Sequence, residues 1–249
     1  PTFGEYERAC RLAGVIPHFW NASAADDFDI HPAEINARIV NLKPRLVFIC
    51  NPNNPTGRLL PVETLHQWAE TYPDVFFVFD EAYLSFISTQ ASAFSPSRAN
   101  ILVLRSMTKD YALAGLRLGY VLASEAISTA LAERLPPWNV NAAAQAAGLA
   151  ALNDPLYDQQ WAQLPLLKQA LVSELAKLGL TARPSALHFF LVQVGNGARF
   201  RLKLLRRGIV VRDCASFGLP DYIRISTRLL EDNRRLLAAI QKVLEDHDG

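Results

Sequence analysis

The sequence holds one methionine in 249 residues, Met107, and only three cysteines, Cys10, Cys50 and Cys214. An odd, widely spaced set with no zinc-type pattern excludes a disulfide scaffold and a cysteine metal site. It reads as buried thiols in a reducing cytoplasm. An excess of one charge is also missing. Lys and Arg number 25 against 24 Asp and Glu, a net charge of +1, so nothing electrostatic points to nucleic acid or a membrane surface as partner. No apolar run approaches the ~20 residues of a spanning helix. No signal-peptide pattern, repeat or low-complexity tract is present. What remains is ordinary for a chain with a sizeable core: 50% hydrophobic and 20% charged residues, over a length that fits one or two domains.

The hydrophobic spacing alternates between strand and helix. Residues 46–50, Leu-Val-Phe-Ile-Cys, are a continuous β-rich run of the kind buried on both faces of a parallel sheet. Leu65, Trp68, Ala69 and Tyr72 make the stripe of a helix that returns the chain to a second run at 75–79. Runs at 101–104 and 118–122 supply two more strands. Helices are predicted over 5–13, 32–42 and an alanine-rich 139–152, and a short strand over 14–19. After the breaker Asn153-Asp154-Pro155, leucines 164, 167, 171, 175 and 178 predict a long helix ended by Gly179. Residues 189–194, 209–212 and 222–226 alternate like strands of a small mixed sheet, and Leu236, Leu237, Ile240, Val243 and Leu244 predict a closing helix. The expected fold class is α/β: a large domain, 1–152, with a mostly parallel sheet flanked by helices, and a smaller α+β domain, 153–249.

Open α/β sheets bind ligands beyond the carboxyl ends of their strands, and three of those ends carry unusual loops. Asn51-Pro52-Asn53-Asn54-Pro55-Thr56-Gly57 follows the first run, Asp80-Glu81-Ala82-Tyr83 the second and Ser106-Met107-Thr108-Lys109 the third. Arg117 stands eight residues after the lysine, at the start of the next run. Singly, such residues are more often turn chemistry or solvated charges. Together, an amide, a carboxylate with a phenol, and a lysine with an arginine can hold a pyridinium ring, its phenolic oxygen, its phosphate and an imine carbon.

On these motifs the chain resembles the class I/II aminotransferase family of pyridoxal-phosphate enzymes, over most of its length and in the family's order. The resemblance implies pyridoxal 5'-phosphate as cofactor, a fold type I large domain, a small-molecule amino-acid substrate and a homodimer. It implies that Lys109 binds the cofactor covalently, that Asp80 pairs with the pyridine nitrogen, and that Tyr83 and Asn54 hydrogen-bond the ring oxygen. Ser106 and Arg117 would hold the phosphate, and Arg224, in Tyr222-Ile223-Arg224-Ile225, the substrate carboxylate. In the family a Pro-Thr-aromatic segment like Pro1-Thr2-Phe3 follows an N-terminal arm and a glycine-rich phosphate-binding turn. The sequence is therefore expected to be a fragment of a longer enzyme.

Two branches of the family fit. Histidinol-phosphate aminotransferases are similar through Leu113-Ala114-Gly115-Leu116-Arg117, Pro137-Trp138-Asn139-Val140-Asn141 and the run from Leu205 to Arg212. The threonine-phosphate decarboxylase of cobalamin synthesis is similar through Pro137-Trp138, Arg212-Asp213-Cys214 with Phe217, and a second arginine, Arg228, where the aminotransferase branch carries glycine. The balance leans to the decarboxylase. Both act on phosphorylated substrates, so Arg228 or Arg212 is the expected partner of a distal phosphate. A reading from another class is an inactive fragment that serves as a dimerisation unit.

Overall fold

A computed structural model describes residues 1–87, 91–154 and 161–246. Helix α1 (Glu5–Leu12) opens the chain. The strand expected over 14–19 does not form. Gly14, at φ +72°, turns the chain out of α1, and the Gly14 and Val15 amides donate to Arg11 O and Cys10 O at 3.0 and 2.9 Å. Those bonds close the helix in a Schellman motif, and Pro17 has no N–H to offer a ladder.

One unit comprises Ile30–Asn53 and Leu59–Gln159. Its elements in order are α2 (Pro32–Leu42), β1 (Leu46–Cys50), α3 (Val62–Thr71), β2 (Phe76–Asp80), β3 (Ile101–Ser106), β4 (Gly119–Ala123), α4 (Glu125–Ala132) and α5 (Ala142–Leu152). The sheet runs β1-β2-β3-β4, parallel except for the antiparallel β3–β4 pair. Phe77, Phe79, Ile101 and Val103, each at most 1% exposed, pack with Leu65, Trp68 and Ala69 of α3. Each such side chain contributes about 1.5–3 kcal/mol of burial. The alanine-rich α5 approaches the sheet closely. A Cβ at Gly148 would lie 2.5 Å from Leu118 Cδ2. The second strand begins one residue later than expected, because Val75 N–H closes the exit of α3 on Tyr72 O, and so Asp80 is its last residue.

The other unit comprises Pro1–Asp29, Asn54–Arg58 and Gln160–Gly249. It contains α6 (Leu164–Lys177), β5 (Phe189–Gln193), α7 (Gly197–Leu205), β6 (Arg212–Asp213), β7 (Tyr222–Ser226) and α8 (Leu230–Glu245). The small sheet, β5-β7-β6, is antiparallel at both pairings and not mixed. Phe190, Val192, Ile223 and Ile225 form its core with Leu171, Leu175, Leu236 and Ile240. The strand expected from 209 is confined to Arg212–Asp213. Gly208, at φ +73°, ends α7 with Ile209 N–H on Leu204 O, so residues 209–211 are spent leaving the helix.

These groupings differ from a single division after residue 152. Phe28, 1% exposed, is buried with Leu191, Cys214 and Tyr222, which ties the N-terminal segment to the C-terminal unit. Pro155, in the expected breaker, lies outside the described residues. Among those residues no helix is long and apolar enough to cross a membrane.

Candidate active site

In the first unit the functional side chains stand at one end of the sheet. Asp80 ends β2, opposite Cys50 of β1 and Leu104 of β3. Its Oδ1 accepts the Ala82 N–H at 2.9 Å, so the carboxylate is fixed by the turn it begins. Ser106 ends β3 and is paired with Gly119, the first residue of β4. Because β4 is antiparallel, Arg117, which precedes it, stands at the same sheet end as the residues that follow β1, β2 and β3. Gly119 is required there, since a Cβ would lie 2.7 Å from Arg105 O.

Lys109 is brought to Tyr83 and Ser106. Its Nζ lies 5.5 Å from the Tyr83 ring centroid and donates to Ser106 Oγ at 3.4 Å. Ser106 Oγ is in turn 2.7 Å from Thr108 Oγ1 and accepts the Thr108 amide. The lysine is exposed and Tyr83 half-buried, so the amine faces outward from the loop. Arg117 has left-handed backbone, φ +57°, and its exposed guanidinium donates to Ala114 O at 3.0 Å.

Glu81 carries no assigned role in the sequence reading, and its surroundings give it one. It is 2% exposed, accepts from Ser92 Oγ at 2.7 Å and Ala93 N–H at 2.6 Å, and pairs with Arg105 at 3.0 Å. Burial raises its pKa above the usual carboxylate value, while the Ala93 and Ser92 hydrogen bonds and the Arg105 charge oppose that rise. The pair fixes the turn that carries Asp80 and Tyr83. A signal was available: Arg105 follows the four apolar residues 101–104, where a buried charge needs a partner.

In the second unit Asn54 and Arg224 meet. Asn54, 9% exposed, accepts from the Arg224 guanidinium through Oδ1, and that guanidinium lies 4.6 Å above the Phe189 ring. The loop bearing Asn54 is latched by Ala186 N–H on Gly57 O at 2.8 Å, and Lys168 Nζ donates to Ser185 O. His188, beside Phe189, has its pKa lowered to about 4 by burial first, then by the Arg224 and Lys168 charges. Arg212 is the cross-strand partner of Arg224, donates to Ser216 Oγ at 2.7 Å and lies 5.7 Å over Phe217. Arg228 is exposed and bound to Asp232 at 3.1 Å, so the second arginine of the sequence reading already has a carboxylate partner.

Comparison with known proteins agrees with these motifs. The family model "Aminotransferase class I and II" matches residues 1–240. The histidinol-phosphate aminotransferase 2 of Ralstonia nicotianae is 39% identical over 86% of this chain and 60% of its own length. Histidinol-phosphate aminotransferase 1 of Thiobacillus denitrificans is 38% identical over 92% and 61%. Among solved structures, the L-threonine-O-3-phosphate decarboxylase of Porphyromonas gingivalis is similar at TM-score 0.86 and 29% identity, over 99% of this chain and 75% of its own. The chain thus spans about three-fifths of the length of the curated relatives it matches.

Proposed function

The chain belongs to the class I and II aminotransferase family, and from that premise we propose that it contributes the pyridoxal-phosphate machinery of an enzyme acting on a phosphorylated amino compound. The observation that carries the reading is Lys109: a primary amine 5.5 Å from a phenol ring and 3.4 Å from a hydroxyl, at a sheet end that also bears Asp80 and Arg117. This donor set fits the cofactor. Lys109 would hold it covalently, Asp80 would face the pyridine nitrogen, Tyr83 would bind the ring oxygen, and Ser106 with Arg117 the phosphate. When bound, the cofactor supplies an electron sink for negative charge at the substrate's α-carbon.

The chain's own residues do the rest. Asp80, fixed by Ala82 N–H, favours a protonated nitrogen opposite it by simple charge attraction. The Lys109 amine, as a free base, would be the group that takes and returns the proton at the α-carbon. Arg224, held over Phe189 and by Asn54, would orient the substrate's carboxylate, and orientation decides which bond at that carbon is cleaved. Arg212 lies across the strand from Arg224 and suits a second anionic group.

Of the two reactions, amino transfer is supported by the curated relatives named above. Threonine-phosphate decarboxylation is the second reading, favoured by Arg228 and by the Porphyromonas neighbour. We also place the protein in the cytoplasm as a homodimer. The test is direct. Cofactor absorbance of the chain, fixed by borohydride and mapped to one peptide, is expected on Lys109 and absent in Lys109→Ala; a variant that keeps the fixed chromophore sinks the assignment. Amino transfer from histidinol phosphate to 2-oxoglutarate or carbon dioxide release from threonine phosphate then separates the branches.

A further inference from the structure

Two consecutive residues of the second unit, Asp27 at φ +49° and Phe28 at φ +60°, have left-handed backbone. Aspartate tolerates that conformation. For a side chain as bulky as phenylalanine it is an outlier, and such backbone persists only where its surroundings over-determine it. They do so here. Ser23 caps the tight turn at 24–26, accepting the Ala25 N–H through Oγ at 3.2 Å, and its carbonyl takes the Phe28 N–H at 2.7 Å. Phe28 stands edge-on to the Tyr222 ring at 5.7 Å. The Tyr222 hydroxyl accepts from Arg183 at 3.1 Å, and Arg183 donates to the Asp27 carboxylate at 2.6 Å. The ring of contacts closes on the two residues that carry the strain.

One group of the turn is spent elsewhere. The Asp27 carbonyl accepts twice from Arg58, from Nε at 3.0 Å and from Nη2 at 2.8 Å, while the Asp29 carboxylate stands off at 3.9 Å. A guanidinium that gives two donors to one neutral oxygen, with a carboxylate close by, is held for its geometry, and only the planar fork of arginine makes that paired contact. Arg58 ends the loop 54–58. Gly57 O accepts from the Ala186 N–H, and Asn54, at the loop's start, accepts from the Arg224 guanidinium. Arg224 lies two residues from Tyr222 on β7, so both ends of the connection rest on the same strand. We propose that Arg58 and Asp27 are positioning residues for Arg224. The strained turn fixes Arg58, Arg58 fixes the end of the loop, and the loop holds the Asn54 amide against the guanidinium so that it is oriented for a carboxylate. The carboxylate rests on the role given to Arg224 above.

The test is the rate at which phenylglyoxal labels Arg224 in the full chain, read by peptide mapping with the exposed Arg234 as internal control. Arg58→Lys keeps the charge and loses the fork. It is expected to speed labelling of Arg224 about tenfold, the scale of one hydrogen bond to a charged group, with Arg234 and the melting temperature unchanged. Asp27→Asn keeps the carbonyl and tolerates the same backbone; it is expected to act in the same direction and less, and it stands in should Arg58→Lys melt early. In an Asn54→Ala chain Arg224 should label fast from the start, and Arg58→Lys should add nothing, because Arg58 acts through Asn54. Labelling of Arg224 indifferent to Arg58→Lys, or to Asp27→Asn where that variant stands in, overturns the proposal. So does an effect that adds in full to that of Asn54→Ala, or a rise shared with Arg234. The dicarboxylate 2-oxoglutarate separates this inference from the reading it rests on. Protection of Arg224 that needs about tenfold more of it in Arg58→Lys supports both. No protection of the unsubstituted chain, with the Arg58 dependence intact, removes the carboxylate role and upholds the positioning of Arg224.

Discussion

Two titratable groups, one buried and one half-buried, give opposite signatures at the residue scale. Glu81 has its pKa raised by burial, so its stability contribution is present below the unfolded value and is lost as pH rises through the folded one. His188, lowered to about 4, works the other way. The folded state binds fewer protons than the unfolded chain between pH 6.5 and about 4, so stability present above 6.5 is lost as pH falls through that window. Urea midpoints across pH 4–7 should therefore flatten in His188→Gln on the acid side. The same experiment on Glu81→Gln should steepen the acid loss, because the opposing slope has gone. Arg105 completes the account. With Glu81 2% exposed, Arg105→Ala leaves a buried carboxylate without its cation, and a loss of about 3–5 kcal/mol is expected by denaturant unfolding. A loss under 1 kcal/mol would show that the Ser92 and Ala93 hydrogen bonds suffice.

At the scale of the element, the loop 54–58 is held by backbone geometry that only glycine allows. Gly57 has φ +69°, and a Cβ there would lie 1.9 Å from Ser185 Oγ. Gly57→Ala should cost more than the ~1 kcal/mol of the φ strain alone, since Ser185 is itself tied to Phe189 O at 2.6 Å. The latch positions Asn54 on Arg224, so carboxylate-substrate affinity should weaken together with stability; a variant with wild-type melting and KM would retire the latch. Elements with strong periodicity were legible in the sequence: Pro32–Leu42, Leu46–Cys50 and Tyr222–Ser226 form as expected. Where a helix exit competed for the same backbone, as at 14–19 and 209–211, apolar alternation misled. Helix α7 went unread because Gly197–Leu205 carries arginine and lysine between its apolar positions, and α4, Glu125–Ala132, because eight residues with three small alanines show little apolar stripe. At the candidate site, the loop motifs and the family resemblance named Lys109, Tyr83, Asn54 and Arg224 singly, and the contacts of Lys109 with Tyr83 and of Asn54 with Arg224 are added by the structure. The motifs gave no view of Glu81, whose partners, Ser92 and Arg105, lie 11 and 24 positions away.

At the scale of the whole molecule, the first unit presents large apolar side chains to solvent. Trp138 is 94% exposed with left-handed backbone, φ +55°, and Leu135, Leu149 and Leu152 are each more than half exposed. A tryptophan buries 150–250 Å² when covered, so leaving it in water is costly, and apolar surface of this kind marks an interaction surface. The homodimer proposed above gives the cover a concrete form, for which an interface of about 1,200–2,000 Å² would be standard. Light scattering of the chain at rising concentration should report a dimer, and Trp138 emission should shift to shorter wavelength as it forms. Trp138→Ser should return the chain to monomer, because an aromatic anchor at an interface commonly contributes 2 kcal/mol or more. Its fold should survive, since a residue this exposed contributes little packing within the chain. A Trp138→Ser chain that dimerises like wild type places the interface elsewhere, and a wild-type chain that stays monomeric at all concentrations removes the dimer from this polypeptide.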